Sequence, residues 1–200
     1  MDDAIWATVE YLRQIFAIVL ALAVTEAFKQ FIADRSEEPL RPAVRKHALW
    51  GLISFLFLLV PFYHGMARYL YDNYRVASTR PQPYSHFLLF DVVSFTIEAA
   101  LFFVMSRSLQ LEQWRRFYTS VVAVLVTDTL WGTVAWRTHS PQVGPWLVLN
   151  LIFLPVFIVI LLLSKRSSKM EKRAPYVGFV LMVVRTALDY ALSWKLYFPG

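Results

Sequence analysis

The stretch LVLNLIFLPVFIVILLL, residues 147–163, decides the fold class. It contains no charged residue, one amide (Asn150) and one proline (Pro155). A bilayer core about 30 Å thick is crossed by about 20 apolar residues in helix. With its flanking residues this run spans 146–164 and meets that length. Working outward, five further segments do the same, over about 11–32, 48–70, 85–107, 116–137 and 176–197. Short charged stretches separate them, and no internal repeat is evident. Hydrophobic residues make up 58% of the 200 residues and aromatic residues 16%, against about 45–50% apolar in soluble domains. The expected fold is therefore all-α: a polytopic transmembrane helical bundle of six helices, one integral membrane domain over residues 1–200 with no soluble domain.

The formal net charge of +6 follows from topology. Thirteen of the twenty Lys and Arg residues lie in the first, third and fifth connections, among them Arg41, Arg45, Lys46, Arg107, Arg115, Arg116, Lys165, Arg166, Lys172 and Arg173. Six lie on the opposite side, and Arg185 falls within the last apolar segment. Basic residues accumulate on the cytoplasmic face, so both termini are expected outside a cell inner membrane. The opening MDDAIWATVEYLR carries Asp2 and Asp3 where a cleavable signal would be basic, so the first helix reads as retained. Basic residues that flank apolar runs do not form a nucleic-acid surface. Tyr69, Tyr71, Tyr74, Tyr84, Trp136, Trp146, Trp194 and Tyr197 all fall near the outer ends of segments, where amphipathic rings form an interfacial belt. RPQPYSH, residues 80–86, reads as an exposed loop on that face.

Charges inside the apolar segments are the functional signal, because an ionised group at mid-bilayer costs about 2.5–3.5 kcal/mol and is retained facing partners or a water-filled cavity. Asp91 and Glu98 share the third segment, seven residues apart and so on one stripe of a helix, with Ser94 between them. Asp128 lies in the fourth, flanked by Thr127 and Thr129. Arg185 and Asp189 lie in the sixth at i,i+4 and are neighbours on one face. The second holds VPFYHG, in which Pro61 removes a backbone donor and His64 sits toward the outer end. Glu26, at the inner end of the first helix, has Lys29 within pairing distance in sequence.

His64, Asp91, Glu98, Asp128, Arg185 and Asp189 form the candidate intramembrane polar site. Two readings follow: ion bridges that fix helix packing, or an outward-facing cavity for a cation, proton or small ligand. Acids outnumber the one permanent base, which favours cations over anions.

Other chemistries lack their residues. Cysteine is absent, which removes disulfides, thiolate metal sites and a cysteine nucleophile. The Tyr-Asp and Gly-x-Gly-Asp motifs of aspartyl intramembrane proteases are missing, since Asp91 follows Phe90 and Asp189 follows Leu188. A rhomboid-type serine motif and a His-Glu-x-x-His zinc helix are missing too. His64, His86 and His139 are scattered on the outer side and do not by themselves make a metal site with Asp91. No enzymatic activity and no cofactor are expected. The first functional expectation is a small channel or transporter, homo-oligomeric because six short helices enclose little space. The second is a membrane sensor or anchor subunit that signals through its basic loops to a soluble cytoplasmic effector, as in envelope-stress or anti-phage systems. Besides itself and such an effector, its expected partner is the lipid bilayer.

Overall fold

A computed structural model describes residues 2–33, 42–75, 85–109, 113–138 and 140–198. Seven helices follow one another: α1 (Asp2–Ala33), α2 (Pro42–Leu70), α3 (Ser85–Ser106), α4 (Trp114–Thr138), α5 (Gly144–Arg166), α6 (Ser168–Leu192) and the single turn α7 (Trp194–Tyr197). A π-helical turn, Tyr71–Arg75, extends α2, and a 3-10 turn, Pro141–Val143, leads into α5. No strand occurs among the described residues. Six helices are long and apolar enough to cross a membrane, over Trp6–Ile32, Leu49–Arg75, Phe87–Ser106, Trp114–Thr138, Pro141–Arg166 and Ser168–Leu192. The chain is thus a multi-pass membrane protein of helices alone. A helix satisfies its backbone groups within itself, which a bilayer interior demands.

Several ends differ from the sequence expectation: α2 begins at Pro42 and not near 48, its crossing continues to Arg75, and α6 begins at Ser168 and not near 176. The first helix runs from Asp2, well before residue 11. The sixth crossing does not run unbroken to residue 197, because α6 stops at Leu192 and Ser193 turns the chain into α7. The Ser193 N–H bonds the Asp189 carbonyl at 2.9 Å, and its φ of −102° and ψ of 18° leave the helical path. Residues 80–84 of the expected outer loop, Tyr84 among them, lie outside the described residues.

Side-by-side packing closes the helices into a ring in the order α1, α3, α4, α5, α6, α2. Each helix turns an apolar face outward: Ile15, Ile18 and Leu22 on α1, Leu89 and Val93 on α3, and Leu151, Ile152 and Leu162 on α5 are all exposed. In water such stripes would drive association; in a bilayer they face solvent of their own kind. Phe16, Phe55, Phe62, Phe95 and Phe102 fill the interior through edge-on and tilted ring contacts at 4.9–6.4 Å, geometries that aromatic quadrupoles favour.

Proline and glycine then set the close approaches. Pro61 sits inside α2 and cannot donate to the Phe57 carbonyl four residues earlier. Thr186 of α6 supplies that donor through its hydroxyl. Gly178 lets α6 press on α4: a Cβ there would lie 2.3 Å from Cζ of Tyr118. The Tyr118 hydroxyl donates to the Pro175 carbonyl at 3.1 Å. Small residues at helix interfaces allow this proximity in membranes. Ser167 alone separates α5 from α6 and caps the latter by accepting from the Met170 N–H.

Candidate functional site

The ring places polar side chains from four helices on one connected path. Asn150 of α5 is buried, and its amide works in both directions. Its Nδ2 donates to Oδ2 of Asp128 on α4 at 2.6 Å, and its Oδ1 accepts from Arg185 on α6 at 2.8 Å. Arg185 also stands 3.9 Å from Oδ2 of Asp189, one helical turn along. The Tyr197 hydroxyl, carried back into the bundle by α7, donates to Oδ1 of Asp189 at 3.1 Å. The path therefore proceeds Asp128, Asn150, Arg185, Asp189, Tyr197. Arg185 holds Asp189 directly and Asp128 through one amide. An ion pair at 3.9 Å is loose, and the guanidinium Nε has no partner among the described residues. In a medium of low dielectric such a spare donor is costly.

A cavity of about 30 Å³ opens beside this path. Asp128, Arg185 and Asp189 line it together with Pro61, Gly65 and Trp146. Such a space has room for one or two water molecules. Gly65 lets the Trp146 ring come close, since a Cβ there would lie 3.0 Å from it.

Asp91 belongs to a second, separate cluster. Three donors close on its carboxylate: the Tyr74 hydroxyl at 2.6 Å, the Trp131 indole N–H at 2.8 Å and the Tyr69 hydroxyl at 3.1 Å. Asn73 extends the cluster by donating to the Tyr69 carbonyl at 2.8 Å and accepting from the Ser140 hydroxyl. Asp91 is 1% exposed and Tyr69 0%. This corrects the belt assignment for Tyr69, Tyr74, Trp146 and Tyr197, which are all buried and point inward. Trp136 and Trp194 are exposed, as interfacial residues are.

Glu98 sits two turns below Asp91 on α3 and differs from the other acids among the described residues. It is 0% exposed, and neither carboxylate oxygen has a hydrogen-bond partner among the described residues. Asp128 is the charged neighbour that acts on it. The stripe expected for α3 is thus real in direction but feeds two environments, a saturated one at Asp91 and an unsatisfied one at Glu98.

His64 is partly buried and packs on the Tyr197 ring at 4.7 Å, with its Nδ1 3.5 Å from the Tyr190 hydroxyl. Its link to the charged path is indirect, through Tyr197. The His86 side chain and His139 lie outside the described residues. Glu26 accepts from Gln30 at 2.7 Å, and Lys29 is exposed beside it.

Of the six candidate residues, the fold brings Asp128, Arg185 and Asp189 together, keeps Glu98 within electrostatic reach of Asp128, and leaves Asp91 and His64 at the edges. Asn150, Tyr74, Trp131 and Tyr197 complete the site. Asn150 carried the clearest signal, as the one polar residue in an otherwise apolar span. In comparisons with known proteins, no family model matches the sequence, no characterised relative matches it, and no solved structure matches its fold.

Proposed function

We propose that this chain is a small channel or transporter of a cell inner membrane, assembled from several copies with both termini outside, that moves a proton or small cation. Glu98 carries the reading. A fully buried carboxyl without a hydrogen-bond partner is a standing cost in a dry core, and native proteins keep such groups chiefly where they act. Asp128, Asn150, Arg185 and Asp189 supply the remaining steps. Asp128 lines the small cavity and Glu98 does not, so a proton or cation entering the cavity meets Asp128 first. Arg185 competes with that ion for Asp128 and Asp189, and its loose hold on Asp189 keeps the competition close.

Purified protein in liposomes carrying a pH-sensitive dye tests this. Under an imposed potential, wild type is expected to acidify or alkalinise the lumen faster than empty vesicles. Glu98→Gln and Asp128→Asn are each expected to slow that flux at least tenfold. Flux unchanged by both substitutions removes these residues from any pathway.

One observation favours the second reading, a sensor or anchor subunit. The cavity, at about 30 Å³, has room for only one or two waters, and a charged core with so little space suits a two-state switch whose output passes through basic loops to a soluble effector. A complete lack of flux, together with a soluble partner that co-purifies until Arg166 and Arg173 are reversed in charge, selects this alternative.

A further inference from the structure

At the C-terminal ends of α1 and α3 and the N-terminal end of α4 lies a groove of about 390 Å³, lined by Gln30, Phe103, Val104, Arg107, Gln113 and Arg116. Its position relative to the bilayer follows from the spans. Phe103 and Val104 occupy the last turn of the third crossing, which ends at Ser106, and the fourth begins at Trp114. The apolar wall therefore stands at the edge of the hydrocarbon, and Arg107 and Gln113 stand at headgroup level beside it. Phe103 is 38% exposed and Val104 41%.

The arginines at this end of the bundle divide into two kinds. Arg115 is engaged: it bridges Glu171 at 2.8 Å, donates to the Ser164 carbonyl and lies against the Trp114 ring. Arg107 and Arg116 are exposed, and neither guanidinium has an acidic partner among the described residues. They nevertheless converge on one groove from either side of the short link between α3 and α4. Positive-inside topology accounts for basic residues in that link but not for two arginines lining one groove with Phe103 and Val104. Lys165 and Arg166, equally basic and equally placed at a span end, are exposed and are not among the residues that line this groove.

We propose that this groove binds the phosphodiester headgroup of an anionic phospholipid. The planar forks of Arg107 and Arg116 match phosphate oxygens in pairs, and Phe103 and Val104 run beside the first methylenes of an acyl chain. Basic pockets between transmembrane helices at the membrane surface serve lipid headgroups in this way.

Native mass spectrometry of the full chain in uncharged detergent tests the assignment, with phosphatidylglycerol compared against phosphatidylcholine. Wild type is expected to retain phosphatidylglycerol preferentially. A basic residue at an anionic surface contributes roughly fivefold in affinity, so Arg107→Gln with Arg116→Gln should weaken it about 25-fold. The matched pair Lys165→Gln with Arg166→Gln should stay within about twofold of wild type on the same scale. Both arginines are exposed, so the fold should survive; if the double variant does not fold, each single variant is expected to lose about fivefold. The proposal is overturned by equal loss in the two pairs, by phosphatidylcholine binding as well as phosphatidylglycerol, or by inorganic phosphate displacing the lipid at equal concentration.

Discussion

Replacing Glu98 by methionine should make the protein more stable. The two side chains are unbranched and of similar length, so the substitution approaches a volume-conserving exchange, with a repacking cost below about 1.5 kcal/mol. What it removes is a fully buried carboxyl whose two oxygens lack partners among the described residues. Desolvating an unsatisfied polar group costs about 1–3 kcal/mol, more when charged, and a thioether in its place would also be free of repulsion from Asp128. The balance is a gain of about 1–2 kcal/mol, a five- to thirtyfold shift in the folded-to-unfolded ratio. Arg185→Met provides the contrast. It strips the donor from Asn150 and the cation from Asp189, and breaking a buried pair from one side costs about 3–5 kcal/mol. Reversible unfolding in mixed micelles, followed by tryptophan fluorescence over a denaturing-detergent titration, reads both. A loss of more than about 1 kcal/mol in Glu98→Met would refute the reasoning, because Glu98 would then have to be bonded in the membrane.

Two further outcomes bear on packing. Gly178→Ala pushes a methyl to 2.3 Å from Tyr118 Cζ and should cost about 1–3 kcal/mol by overpacking; pairing it with Tyr118→Leu should recover most of that, and strictly additive losses in the same unfolding assay would contradict the contact. Thr186→Val should cost about 1–3 kcal/mol by orphaning the Phe57 carbonyl, and much less in a Pro61→Ala background, where α2 regains its own N–H donor; an equal cost in both backgrounds would separate Thr186 from the proline.

Fold class was legible because a bilayer reduces the question to length and apolarity, which runs such as residues 147–163 answer directly. Helix ends were less so. Around Ser193 no proline or glycine marks the break, and only the geometry of Tyr197 returning to Asp189 explains it. Spacing along a helix was legible as well: Asp189 stands one turn from Arg185 and within ion-pair reach of it. Azimuth was not. A position along a helix says how deep a side chain lies but not which neighbour it faces, so Asp91 could not be separated from Arg185 by counting. The same gap misplaced Tyr69, Tyr74 and Tyr197. Tyrosine near a span end suits a headgroup belt and a buried donor equally, and only packing distinguishes them. Asn150 was visible as an oddity, while its two-sided bridge depends on α4 and α6 lying on either side of α5.

The hydroxyl that Thr186 lends to α2 has a consequence for how the charged path can change. Thr186 directly follows Arg185, so the residue that completes the bent helix and the one that carries the cation are separated by a rise of about 1.5 Å. Sliding α6 along its axis would pull the hydroxyl off the Phe57 carbonyl before moving the guanidinium by even one turn. Arg185 is therefore registered to the bend in α2 like a cursor fixed to a scale. It can exchange acids by swinging its side chain while both helices stay still, whereas an axial stroke of α6 requires α2 to bend with it.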